Sequence, residues 1–292
     1  MPNVQINAPQ TSYRGADSEE PLSARNFQRL CTLVHSYFGI RLTTKKQSMV
    51  DGRLRRRMRA LNIANINDYC SFLFDDAHPG AQSELISFID AITTNKTDFF
   101  REPSHFKFLE DRILPTLRKA GRRSIKVWSA ASSTGAEAYT IAMVIDHFFR
   151  EGGFDYSVLA TDICTDVLAK GTTGLYPDGM IEPIPEEFRR RYVLVPTDPS
   201  RLEFRIAQRL RSKVSFEYLN LMDDRYPYGQ DFDMIFLRNV LIYFERATQE
   251  EVLAKLCAHL RPGGFLFLGH SESLVGAKLP LTAVANTIFQ RR

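Results

Sequence analysis

The sequence predicts an α/β protein: a doubly wound, mostly parallel sheet, preceded by an all-helical domain and carrying a small inserted β-subdomain. Three patterns predict it. Apolar residues recur at helical spacing through residues 21–92; from about residue 105 helices alternate with short apolar strands; and residues 174–215 interrupt that alternation with Pro177, Pro183, Pro185, Pro196 and Pro199 among short β-like runs. Strand–helix alternation implies a parallel sheet, because each crossover helix must pack back onto it. The chain of 292 residues, 44% hydrophobic and 25% charged, is long enough for two cores. The expected division is a disordered tail over residues 1–20, a helical domain over 21–93 and a sheet domain over 94–292, with the insertion at 174–215.

The first helix is bounded by Ser23 as N-cap and Gly39 as stop, with Phe27, Leu30, Cys31, Val34 and Phe38 on its inner face. A second carries Val50, Leu54, Met58 and Leu61 on one side at about 100° per residue, and arginines on the other. A third follows at Leu85, Phe88, Ile89 and Ile92. In the second half a helix over Phe106–Lys119 ends at Gly121, Ser124–Ser129 is a strand, and a small-residue turn leads into a helix through Ile141, Val144, Ile145 and Phe148. Ser157–Thr161 is the next strand, closed by Asp162 and followed by a short helix from Thr165. A strand at Phe232–Leu237 precedes a helix whose start, Thr248 with Glu251, fits a capping box, and Phe265–Gly269 is a further strand.

Charge is unevenly placed. Between Arg41 and Arg59 eight basic residues face one acid, Asp51, so this segment (8 − 1 = +7) exceeds the +4 of the whole chain. Five arginines in seven residues, Arg53 to Arg59, are dense for solubility alone, and the face they form is expected to bind an acidic partner. A net charge of +4 does not call for nucleic acid. Cys31, Cys70, Cys164 and Cys257 lie far apart, without CxxC pairing, so neither a disulfide nor a metal is expected. No apolar run approaches the roughly 18–20 residues of a membrane span, and the polar start is unlike a signal peptide. A cytoplasmic protein is expected.

In such a sheet ligands bind beyond the carboxyl ends of the strands, where strand order reverses. The turn Ala130–Gly135 lets backbone approach a ligand, and Asp162, 27 residues after Gly135, stands where a carboxylate accepts ribose hydroxyls. Asp162 also reads as a cap for the helix after it. The turn lacks lysine and GK[ST], so it does not suit a triphosphate. Glu137, one residue inside the helix, repels phosphates and suits a cationic ligand, though it also reads as an ordinary first-turn glutamate.

Five stretches together resemble the CheR family of chemotaxis-receptor glutamate methyltransferases: TTNKTDFFREPSHF (residues 93–106), KVWSAASSTGAEAYTIAM (126–143), ATDI (160–163), RNVLIYF (238–244) and GHSES (269–273). The resemblance runs from about residue 22 to the C-terminus and implies a class I S-adenosylmethionine-dependent methyltransferase domain behind the helical domain. It implies S-adenosylmethionine as cofactor and S-adenosylhomocysteine as product. It places Asn95, Thr97, Arg101, Glu137, Asp162, Asn220, Leu221, Arg238 and Asn239 around the cofactor, with Arg101 and Tyr243 at the methyl-transfer site. It implies as partner the cytoplasmic helical bundle of a receptor, met by Arg53, Arg56, Arg57 and Arg59, with a monomeric enzyme reaching the membrane only through that receptor. One departure stands out: Ala136 and Ala138 flank Glu137 where the family's turn usually reads G-E-E-P-Y, and this is expected to loosen the turn and weaken cofactor binding. His270 is read as structural.

Two competing readings remain at this level. Without the resemblance, Phe99 and Phe100 are core aromatics and Tyr243 a packed tyrosine. A nucleic-acid amino-methyltransferase on the same fold would carry [ND]PPY where this chain has Arg238-Asn-Val-Leu-Ile-Tyr, without prolines. A non-catalytic nucleotide-sensing or receptor-tethering module draws only on the altered turn.

Overall fold

The computed structural model describes residues 21–75, 77–93, 95–198, 200–274 and 279–292. The expected tail over residues 1–20 lies outside them. The helical domain opens with α1 (Ala24–Phe38), capped by the Ser23 hydroxyl, which accepts from the Asn26 N–H, and ended by Gly39 at φ 66°. A 3-10 turn (Thr44–Lys46) then leads into α2 (Gln47–Leu61), followed by α3 (Ile66–Leu73) and α4 (Ala81–Ile92). The expected inner faces pack together: Phe27, Leu30, Val34 and Phe38 against Val50, Leu54, Met58, Phe88, Ile89 and Ile92. The helix α3, capped by Asn65 and contributing Ile66, Tyr69, Cys70 and Leu73 to this core, has no counterpart in the sequence reading.

The basic face of α2 is a correction to the sequence reading. Arg53 donates to the carbonyls of Ala91, Ile92 and Thr93 at 3.3, 2.7 and 2.8 Å, satisfying the open C-terminus of α4. Arg57 forms a forked pair with Glu84, whose side chain is 4% exposed and also accepts from the Tyr69 hydroxyl. Arg55 pairs with Asp51 one turn back. Of the four arginines assigned to a partner, Arg56 and Arg59 are exposed, while Arg53 and Arg57 hold the domain together.

The second domain begins with α5 (Pro103–Phe108), a wide π turn (Leu109–Ile113) and α6 (Leu114–Lys119), in place of one straight helix. The ladder widens just before Pro115, which has no N–H to give it. There follow β1 (Ser124–Ala130), α7 (Ala136–Phe148), β2 (Asp155–Asp162), α8 (Thr165–Thr173), β3 (Leu175–Pro177), α9 (Glu186–Tyr192), β4 (Val193–Leu194), β5 (Glu203–Ile206) and α10 (Gln208–Arg211). The chain ends with β6 (Val214–Tyr218), β7 (Phe232–Leu237), α11 (Arg246–His259), β8 (Leu260–Leu268), β9 (Leu281–Ala285) and β10 (Ile288–Arg291).

The main sheet has the order β6-β2-β1-β7-β8-β10-β9, parallel except for β10 and β9. From β1 the chain steps outward to β2 and β6, then returns to the other side through β7 and β8, so the switch point lies between β1 and β7. One face is covered by a core around α7 and the other by a core around α11. The inserted sheet, β3-β5-β4, lies where the prolines predicted it but closes earlier: Val214 and Ser215 pair with β2 in the main sheet. The capping box at Thr248 and Glu251 is not used, because α11 begins two residues before Thr248, after Glu245.

Contacts from both sides join the domains beside the switch point. Asp90 of α4 accepts from the Thr165 N–H and hydroxyl at 2.9 and 2.7 Å, capping α8 from the other domain. Ile40 forms an isolated antiparallel bridge with Phe244, and the Arg41 N–H donates to the Tyr243 carbonyl at 3.1 Å. The Ile40 side chain packs against both the helical core and the α11-side core.

Candidate active site

The turn after β1 is shaped by backbone before any side chain acts. Ala131 (φ 59°) and Ser133 (φ 52°) are left-handed, and Gly135 (φ 85°) lies so close to Phe216 that a Cβ there would meet its ring at 2.6 Å. Ala136 and Ala138 are fully buried in the α7-side core, so the turn they flank is packed rather than loose. Asp162, at the end of β2, accepts from the Ser133 N–H at 2.8 Å and the Cys164 N–H at 2.9 Å, so it ties the turn to the neighbouring strand. Burial raises its carboxyl above the ordinary range, opposed by those backbone donors. The capping reading of Asp162 is a correction: α8 is capped by Asp90, and the Asp162 carboxylate instead fixes the turn and lines the cleft.

Across the switch point Arg238, at the end of β7, has a side chain only 2% exposed and lies between two carboxylates. It donates to Glu137 at 2.9 Å, to Glu102 at 2.8 and 3.3 Å, and to the Arg101 carbonyl at 2.5 Å. Glu137 also accepts from the Ser129 hydroxyl at 2.7 Å. The charge assigned to a cationic ligand is therefore already shared with Arg238, and Arg238 is spent inside the protein rather than presented to a substrate. Glu102 collects further donors from the Asn239 amide and the His270 N–H at 3.1 and 3.2 Å. Burial raises its carboxyl, but the bonds and charge of Arg238, with Asn239 and His270, win and hold it down at about 2. His105 lies beside it, lowered to about 4 first by burial and then by the Arg238 charge. Glu102, His105 and His270 bring potential metal-ligand atoms within 4.8 Å of one another, yet the donors already on Glu102 make this a charge network.

Glu272 does for the next loop what Asp162 does for the first. It is 5% exposed and accepts from the N–H groups of Gly269, Asn239 and Leu241 at 2.6, 3.0 and 2.8 Å. That bracing holds Asn239 at φ 60° and positions the 3-10 turn Leu241–Tyr243. Of seven non-glycine residues with positive φ among those described, Phe100, Glu102, Ala131, Ser133 and Asn239 fall on these loops. Strain gathered at one place marks a site over-determined by its surroundings.

All ten expected cofactor and active-site positions line one cleft: Asn95, Thr97, Arg101, Glu137, Asp162, Asn220, Leu221, Arg238, Asn239 and Tyr243. Phe38, Ile40, Leu42, Lys46, Met49 and Ile92 of the helical domain form its other wall. The cleft is partly open to solvent. Asn220 is less free than expected: its amide donates to the Tyr37 carbonyl at 2.6 Å and its oxygen accepts from Met222 N–H at 3.0 Å. Asn95 donates to Thr93 and Cys164, and its carbonyl accepts from the Ser133 hydroxyl, joining the inter-domain segment to the turn. Glu102 and Glu272 lie within the sequence motifs, yet no local spacing marks their roles: Glu102 meets Arg238, 136 residues away.

A doubly wound sheet of this order, closed by the antiparallel β10 and β9 and with a strand-end acid lining a cleft at its switch point, is the architecture of a class I S-adenosylmethionine-dependent methyltransferase. Comparison with known families narrows this. Residues 95–289 match the S-adenosylmethionine-binding domain of CheR methyltransferase and residues 25–93 match its all-alpha domain. The chain belongs to the CheR methyltransferase family. It is 37% identical over 268 residues to the chemotaxis protein methyltransferase of Escherichia coli, covering 92% of this chain and 91% of that protein. It is 36% identical over 256 residues to the protein of that name from Borreliella burgdorferi, covering 86% and 88%, and 39% identical over 253 residues to that from Klebsiella aerogenes, covering 87% and 84%.

Proposed function

We propose that this chain methylates glutamate side chains on the cytoplasmic helical bundle of a chemotaxis receptor, forming methyl esters, with Arg101 and Tyr243 at the transfer site. The observation that carries the reading is the meeting of Arg101 and Tyr243 with Asp162 in one cleft walled by both domains. S-adenosylmethionine, when bound, supplies an electrophilic methyl group on a cationic sulfur. The donor set fits it: a carboxylate for ribose hydroxyls at Asp162, the Glu137–Arg238 pair for a zwitterionic end, and Leu221 with Asn220 beside an aromatic base.

The receptor carboxylate, with a pKa of about 4.3, is ionised at neutral pH, so no residue has to remove a proton. The work left to the protein is alignment. Arg101 is half-exposed and its guanidinium donates to the Lys96 carbonyl, so it can orient a carboxylate without burying the pair. A looser hold suits the reaction, because tight binding of the ground-state anion would oppose transfer. Tyr243 contributes one neutral hydrogen bond. Phe38, Ile40, Met49 and Ile92 exclude water from the other side, where hydration would favour the separated charges.

Arg56 and Arg59 are the exposed members of the basic helix and support docking of the acidic receptor surface. No helix among the described residues is long and apolar enough to cross a membrane; the reading takes the enzyme to be a cytoplasmic monomer that meets the membrane only through its receptor. The test is incubation with methyl-labelled S-adenosylmethionine and receptor-containing membranes, followed by base. Label released as methanol is expected; base-stable label would assign the methyl to nitrogen and overturn the reading.

A further inference from the structure

Lys46 is the last residue of the 3-10 turn before α2 and the N-cap position of that helix. Its ammonium lies over the Tyr243 ring, 5.1 Å from the centroid, and the side chain lines the same cleft as Arg101. It is half-exposed and makes no ion pair among the described residues. Arg53 caps α4, Arg57 is paired to Glu84, Arg238 lies between two acids and Arg41 faces Glu245 at 3.9 Å. The cations that line the cleft without an ion pair among the described residues are therefore Lys46, Lys96 and Arg101, and of these Lys46 is the one contributed by the helical domain. A cation with its charge unmatched at the mouth of a cleft is poised for an anion that is not part of this chain.

Backbone geometry supports a specific function. The Tyr243 carbonyl accepts from the Arg41 N–H, and Ile40 bridges Phe244, so the segment leading to Lys46 is tied to the turn that carries Tyr243. Helix α2 then runs away from the cleft toward the exposed Arg56 and Arg59, about 15 and 20 Å along the axis at 1.5 Å per residue. A lysine also suits a transient hold better than an arginine, being a hydrated point charge rather than a bidentate fork.

We propose that Lys46 is a substrate-positioning residue: its ammonium, held over the Tyr243 ring, receives the carboxylate that is to be methylated and hands it to Arg101 and Tyr243. This rests on the receptor-glutamate reading above. The helical domain thereby contributes to the transfer step itself, besides docking the partner.

The experiment measures initial methylation rates against receptor concentration for the full-length wild type, Lys46→Met, Lys46→Gln and Lys46→Arg, with S-adenosylhomocysteine affinity by calorimetry. Either neutral variant is expected to lower kcat at saturating receptor about tenfold, the scale of one partly desolvated charge. Lys46→Arg should recover most of that loss, and S-adenosylhomocysteine affinity should stay within about twofold. Combined with Tyr243→Phe, the loss should be less than the product of the single losses, because the two side chains act as a unit. An unchanged kcat with a raised KM would make Lys46 part of the docking face only. Weakened S-adenosylhomocysteine would assign it to the cofactor's own carboxylate, and an arginine variant no better than methionine would make the contact structural. Each of these overturns the proposal, whereas an inactive wild type would instead overturn the receptor-glutamate reading.

Discussion

Replacing Glu102 by glutamine keeps the shape of the side chain and removes the charge facing Arg238. The Glu102 carboxyl stands at about 2 against an ordinary 4.5, a difference of 4.5 − 2 = 2.5, or about 3 kcal/mol at roughly 1.36 kcal/mol per pH unit. The side chain is 12% exposed and Arg238 is 2% exposed, so little of this is lost to solvent screening. Because the folded pKa is depressed, the stabilisation is complete above about pH 4.5 and drains away as pH falls toward about 2. Glu102→Gln is therefore expected to unfold about 3 kcal/mol more easily at neutral pH, within the range for breaking a buried pair. The two proteins should converge in acid. Urea denaturation of both across that range isolates the residue, since every other carboxylate is common to the pair. A gap below about 1 kcal/mol at neutral pH, or one that persists undiminished in acid, would show that Glu137 alone holds Arg238 and refute the reasoning.

Other expectations follow from the same geometry. Asp162→Asn should weaken S-adenosylhomocysteine by about 1.5 kcal/mol or more, roughly tenfold, through lost charge-assisted bonds; unchanged calorimetric affinity in a folded variant would remove Asp162 from the site. Arg101→Ala should lower kcat/KM by about 2–4 kcal/mol and Tyr243→Phe by about 1–2 kcal/mol in single-turnover assays, and full activity in the former would misplace the substrate carboxylate. Neutralising Arg56 and Arg59 together should raise the receptor KM and flatten its salt dependence while leaving the melting temperature alone. Arg53→Gln should do the reverse, lowering stability by about 1–3 kcal/mol because three helix-end carbonyls lose their donor; equal effects from the two changes would mean that the face is not divided as described.

Features with a local cause were legible in the sequence. The limits of α1 follow from a serine cap and a left-handed glycine, and both are used. The strands β1, β2 and β7 read as apolar runs because both faces of a parallel sheet are covered. The helix α3 escaped because eight residues carry barely two turns of periodicity. The C-terminal strands β9 and β10 give little signal because they are short, with Thr282 interrupting one and Gln290 and Arg291 ending the other. Asp162 and Glu137 are legible from their places after the strand and in the first helical turn, whereas the other eight cleft positions rest on motif resemblance, and no pattern of spacing joins Asn95 to Tyr243. The basic helix misled in part because a count of arginines does not distinguish a surface charge from one that closes the neighbouring helix.

The left-handed residues have a consequence for how this protein tolerates change. Phe100, Glu102, Ala131, Ser133 and Asn239 each hold a backbone shape that glycine adopts without cost. A protein engineer seeking heat resistance would begin there, expecting up to about 1–2 kcal/mol of relief per position. The same exchange would remove the side chains that tie the loops together: Glu102 from Arg238, Ser133 from Asn95, Asn239 from Glu102. It would also restore freedom to segments whose fixed shape aligns the cleft. Selection for survival on heating and selection for turnover should therefore pull these five positions in opposite directions.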